Sequence, residues 1–232
     1  MAAAASHSAV RLPIETLALS ELEMGLRFDS PVPDSAIADC TRVRRARTRA
    51  GDEVSELSLG SAGLSRSWKR SSTDPFPSYE DLWARLCADY GDLREVLVSR
   101  GIPEPAAGDY ELKYVNPVTV EEQWRQSRGR HRWPWGPLPY ESASGYLPDP
   151  DAVRSDLGFA MHDEDGRPVG QLCVVLHQFR GEFSEPLTAL TIAARGEVGG
   201  LPVEKTKPCF DLAFEWVVRA FASFYPSFAV GH

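Results

Sequence analysis

The stretch CFDLAFEWVVRAFASFY, residues 209–225, constrains the fold more than any other. Phe210, Phe214, Val217, Phe221 and Phe224 recur at steps of three and four, so on an α-helix they form one aromatic stripe. A stripe that wide needs a broad apolar surface against it, and a β-sheet with one apolar face supplies one. DPFPSYEDLWARLCADYGDLREVLVSRG makes the same demand, with Leu82, Leu86, Tyr90, Leu93 and Leu97 on one side beside Trp83. Ser78 with Asp81 three residues on reads as close to a capping box. Gly91 weakens the middle of this helix and Gly101 closes its end.

Much of the remaining chain alternates at the strand period. SELEMGLRF (20–28) sets Leu22, Met24, Leu26 and Phe28 against Glu21, Glu23, Gly25 and Arg27, a half-buried strand. A proline turn follows, with Asp34 capping a short helix to about Cys40. Residues 41–70 read as three short strands, their turns marked by Gly51-Asp52 and by Gly60 to Gly63. DYELKYVNPV (109–118) sets Tyr110, Leu112 and Tyr114 against Glu111, Lys113 and Val115. It reads as a strand that exits at Asn116-Pro117, because proline has no donor and holds its predecessor extended.

Residues 119–127 read as a short helix. Residues 128–155 are irregular and hold five of the 18 prolines and two of the six tryptophans. A loop this long inside a compact domain is either functional or mobile. Two strands then flank Asp163-Glu164-Asp165-Gly166 as a hairpin, and PLTALTIAARG (186–196) is a third strand. The element order reads as a pseudo-duplication of a β-α-βββ-α unit. The expected fold is α+β, a largely antiparallel curved sheet carrying two long helices. It forms one domain of residues 13–232, with halves of about 13–101 and 109–226, after a short disordered leader of residues 1–12.

The net charge of −8 and pI near 5.2 argue against a general polyanion-binding surface. No apolar run of roughly 18 residues is present, so no membrane span is expected. Cys40, Cys87, Cys173 and Cys209 lack the close spacing of a zinc site and read as reduced, mostly buried thiols of a cytoplasmic protein. The chain contains no G-x-G-x-x-G, no phosphate-binding G-x-x-x-x-G-K-[ST] and no G-x-S-x-G. No cofactor and no metal site is expected.

The strongest candidate site is RGRHRWPWGPLPY (128–140), where Arg130, His131 and Arg132 stand beside Trp133 and Trp135. Cations beside flat aromatics hold a peptide, a nucleotide or an anion by stacking and ion pairing. The bland alternative is a proline-stiffened loop whose tryptophans cover the sheet. Tyr114 and Asn116 join the candidate site from the neighbouring strand, Asn116 reading either as a ligand-facing amide or as the amide that caps the strand exit. Arg42, Arg44, Arg45, Arg47 and Arg49 suit phosphate contacts, yet read more readily as a solvated edge strand. His131 or His177 as a general base defines an enzymatic alternative. His162 precedes an acidic turn but has no metal-ligand spacing.

Tyr114-Val115-Asn116 also carries a family resemblance, together with LSLGSAGLSRSW, FPSYEDLWARL and FDLAFEWVVRAF. The chain resembles a sporadically distributed, functionally uncharacterised bacterial family with a Tyr-[Ile/Val]-Asn tripeptide on a central strand. The resemblance covers most of residues 12–225 and departs at the Trp/Pro loop. It implies a cytoplasmic bacterial protein whose patchy distribution suggests mobile or defence-related gene neighbourhoods, and it implies no catalytic residues. The expectation is a non-enzymatic binding or regulatory protein for a protein partner or small ligand. The alternatives are an enzyme using a histidine base and a nucleic-acid binder.

Overall fold

The computed structural model describes residues 21–47, 55–69, 77–118, 132–133, 136–137, 152–180 and 186–224. Seven strands form one antiparallel sheet: β1 (Glu21–Phe28), β2 (Ser55–Gly60), β3 (Gly63–Lys69), β4 (Ala107–Val118), β7 (Ala152–His162), β8 (Pro168–Arg180) and β9 (Pro186–Leu201). Their order is β2-β3-β1-β4-β9-β8-β7, so the sheet is open, with β2 and β7 at its edges. Two-residue strands β5 (Arg132–Trp133) and β6 (Gly136–Pro137) pair separately. The helices are α1 (Asp34–Arg47), α2 (Tyr79–Ser99) and α3 (Lys207–Phe224), the last preceded by a 3₁₀ turn at Val203–Lys205. The fold is thus the expected α+β arrangement, with a third helix beside the two long ones.

Strand alternation decides which face is covered. Leu22, Met24 and Leu26 are at most 2% exposed, as are Leu112 and Tyr114. The register continues this apolar face onto Ile192 and Ala194 of β9. Both long helices pack there, α2 over β1 and β3 and α3 over β4 and β9. Phe210 joins both helices to the sheet, its ring 5.4 Å from both Trp83 of α2 and Tyr110 of β4, and beside it Phe214 stacks on Tyr79 of α2 at 4.6 Å. Tyr114 meets the edge of Phe221 at 6.1 Å. Burial pushes the Tyr110 hydroxyl up to about 12, against an ordinary value of about 10. A neutral phenol kept neutral by folding adds stability below its ordinary value, and that stability is lost as pH rises through about 12. An alkaline titration should therefore show Tyr110 forming tyrosinate late, together with unfolding rather than before it.

The capping box at the start of α2 is present as expected. The Ser78 hydroxyl accepts from the Asp81 N–H at 3.1 Å, and Asp81 Oδ2 accepts from the Ser78 N–H at 3.2 Å. Hydrogen bonds from the Ser78 hydroxyl, then from its backbone, hold the Asp81 carboxyl below its usual range. That contribution is present at neutral pH and disappears as pH falls through the lowered value. Ser78→Ala should cost about 1 kcal/mol at neutral pH. The melting-point gap between Asp81→Ala and the parent should close in acid. At the far end, Gly101 takes φ +64, the left-handed turn that stops the helix.

Three local expectations are corrected. Thr41–Arg47 is helical, so the Arg-rich stretch extends α1 and only two strands, β2 and β3, follow it. No glycine or proline stands between Pro33 and Gly51, and arginine and alanine are good helix formers, so nothing stops the helix at Cys40. Strand β4 does not end at Asn116 but runs through Pro117, which faces Ala189 of β9. Strand β1 begins at Glu21 opposite Val115. Among the described residues Pro117 therefore has a ladder neighbour on one side only, where a missing donor is tolerated. The loop expected to reach residue 155 gives way to β7 at Ala152, because β8 is long enough to pair that far. The expected helix at 119–127 and leader at 1–12 lie outside the described residues.

Strands β1 and β4 lie side by side at the middle of the sheet. Strand β3 flanks β1 on one side and β9 flanks β4 on the other. Cys40 is buried, and Cys87, Cys173 and Cys209 are half-buried.

Candidate functional site

The face of the sheet opposite α2 and α3 carries the odd-numbered residues of β1, β3, β4, β8 and β9. The register lines them up in rows across the strands. One row runs Ser58, Ser65, Gly25, Glu111, Arg195, Gln171. The next runs Glu23, Lys113, Ala193, Cys173, and a third runs Arg27, Asp109, Glu197. Opposite charges meet on neighbouring strands. Arg195 Nη2 donates to Glu111 Oε1 at 3.0 Å. Lys113 Nζ donates to Glu23 Oε2 at 3.0 Å and lies 3.7 Å from Glu21 Oε1. Burial alone lowers the Lys113 ammonium, but the hydrogen bond to Glu23, with Glu21 and Glu111 close by, more than offsets it. The result is an ammonium held above its ordinary value.

The first and third rows, with Glu23 of the second, line a cleft of about 1200 Å³ that also takes in Leu26, Leu64 and Tyr110. Gly25 forms part of its floor, where β1 and β3 approach so closely that a Cβ would lie 2.9 Å from the Ser65 Cβ. At one end the cleft reaches Pro208 and Leu212 at the start of α3. The arrangement presents fixed, mutually paired charges on rigid strands around a central gap without a side chain.

The residues singled out from the sequence fall elsewhere. Tyr114 and Asn116 lie on the helix-covered side, 1% and 4% exposed, away from the cleft. Burial raises the Tyr114 hydroxyl well beyond the ordinary tyrosine range. Arg132 and Trp133 form β5, whose described contact is its pairing with β6. Arg130, His131 and Trp135 lie outside the described residues. His177, on β8, and His162, at the β7–β8 hairpin, are both exposed. They stand at opposite ends of the β7–β8 ladder, about 30 Å apart at the strand rise. Arg42, Arg44, Arg45 and Arg47 belong to a helix rather than an edge strand, and Arg49 lies outside the described residues. No group of three or more His, Cys, Asp or Glu among the described residues is placed to hold a metal ion. No helix among them is long and apolar enough to cross a membrane.

Sequence reasoning passed over Glu111, Lys113 and Arg195. Their signal was the polar phase of the same alternation that revealed Tyr110, Leu112 and Tyr114. It also missed a buried ion pair on the covered side. Arg66 Nη1 of β3 donates to Asp89 Oδ2 of α2 at 3.3 Å, with the two side chains 9% and 8% exposed.

Comparison with protein-family models, with curated proteins and with solved structures finds no match to this chain.

Proposed function

We propose that this is a non-enzymatic, cytoplasmic binding protein that holds a protein partner or a small polar ligand against the open face of its sheet. The observation that carries this reading is the charged cleft around Gly25, Glu111 and Arg195, three strand residues whose side of the sheet α2 and α3 do not cover. Paired charges on neighbouring strands favour recognition, because they are already oriented and give specificity at small entropic cost. The resemblance carried by Tyr114-Val115-Asn116 accords with this reading, since it implies no catalytic residues.

The test uses the double variant Glu111→Ala/Arg195→Ala, which removes both members of one pair and strands neither charge. Partners captured by the intact chain are first identified by cross-linking and native mass spectrometry, then measured individually. Affinity for the true partner should fall at least about tenfold in the double variant, equivalent to about 1.4 kcal/mol. It should be unchanged in Arg219→Ala, on the exposed side of α3. Equal affinity in a correctly folded double variant would overturn the assignment of this face.

A further inference from the structure

Strand β7 is the last strand of the sheet and pairs only with β8 among the described residues. Its outer edge offers a row of backbone donors and acceptors to another strand. Phe159 stands near its middle and is 42% exposed, one of three large exposed hydrophobic residues among those described. Around it the strand reads Leu157-Gly158-Phe159-Ala160-Met161. That run alternates large and small and is symmetric about Phe159. By strand alternation Leu157, Phe159 and Met161 share the helix-covered side, while Gly158 and Ala160 share the open side.

We propose that β7 is a self-association edge, on which two copies of this chain pair antiparallel about a two-fold axis at Phe159. An isologous contact needs a surface complementary to itself, and this strand meets that requirement in three ways. The two-fold sets Phe159 against Phe159 and Leu157 against the second copy's Met161. It sets Gly158 against Ala160, so no bulky group obstructs the open side. It also carries Arg154 toward Glu164 and Asp156 toward His162 of the second copy, so one basic side chain of each edge meets the acidic turn Asp163-Glu164-Asp165 of the other. Within one chain Arg154 is held by Asp156, its Nε and Nη2 both about 3.0 Å from that carboxylate. Those side chains are 62% and 57% exposed, and an exposed pair exchanges partners at little cost.

Sedimentation velocity of the full chain over a concentration series should show a monomer–dimer equilibrium. Phe159→Glu should raise the dimer dissociation constant at least about tenfold, because two like charges then meet on the axis. Its exposure lets the fold persist, which circular dichroism checks. Arg154→Glu should weaken the dimer, and Arg154→Glu with Glu164→Arg should restore it. Val98→Glu, at a residue 62% exposed on α2, should leave the equilibrium unchanged. A monomer at every concentration, or a dimer indifferent to Phe159→Glu, would overturn the proposal. A charge swap that fails to restore association would overturn the two-fold at Phe159.

Discussion

Asp89→Ala should destabilise this protein by about 3–5 kcal/mol, the usual result of breaking a buried ion pair from one side. The reason is what the change leaves behind. Arg66 lies on the covered face of β3, between the buried residues Leu64 and Trp68. With the Asp89 carboxylate gone, the guanidinium loses its 3.3 Å partner on α2, and the joint between that helix and β3 is broken. For a chain of this size each kcal/mol moves the midpoint by roughly 2–4 °C, so the melting temperature should fall on the order of 10 °C. Arg66→Met with Asp89→Leu should be milder, because it replaces both members of the pair with apolar side chains of similar volume instead of breaking the pair from one side. A single Asp89→Ala variant within about 1 kcal/mol of the parent would mean that water reaches the pair.

Phe210→Ala should be comparably severe, also about 3–5 kcal/mol. Phe210 is fully buried and its ring stands between Trp83 and Tyr110. Through these rings it ties α2 and α3 to the middle of the sheet. Deleting it opens a cavity that three rigid elements cannot jointly collapse. The same variant should bring the Tyr110 hydroxyl down from about 12 toward its ordinary value, since burial is the first cause of that rise. A spectroscopic titration would detect this. A large loss of stability with no change in Tyr110 would show that the cavity closes over the phenol.

Some of this architecture was legible because one physical signal dominated locally. The stripe from Phe210 to Phe221 and the alternation from Leu22 to Phe28 each admit a single regular structure. Where two signals competed, pattern reading failed. Thr41–Arg47 alternates weakly like a strand, yet lies downstream of a helix with no stop signal, and the helix continues. Asn116-Pro117 looks like an exit from the sequence alone. Whether proline ends a strand depends on which neighbour needs its donor, and that neighbour is more than seventy residues away. The candidate site was less legible still. Trp and Arg draw attention by their type, whereas Glu111 and Arg195 matter through register, which joins residues 84 positions apart. Nothing in the sequence marks Asp89, because its contact with Arg66 of β3 is set only by packing.

The meeting of β1 and β4 at the middle of the sheet has a kinetic consequence. That seam joins residue 27 to residue 109 and residue 21 to residue 115, and the neighbouring β4–β9 ladder spans similar separations. Hairpins such as β7–β8 close short loops and form early, whereas pairings this distant must first close long ones. The outer strands should therefore assemble ahead of the centre, leaving two partial sheets with bare edges awaiting each other. Refolding should be slow, and most vulnerable to aggregation in that interval.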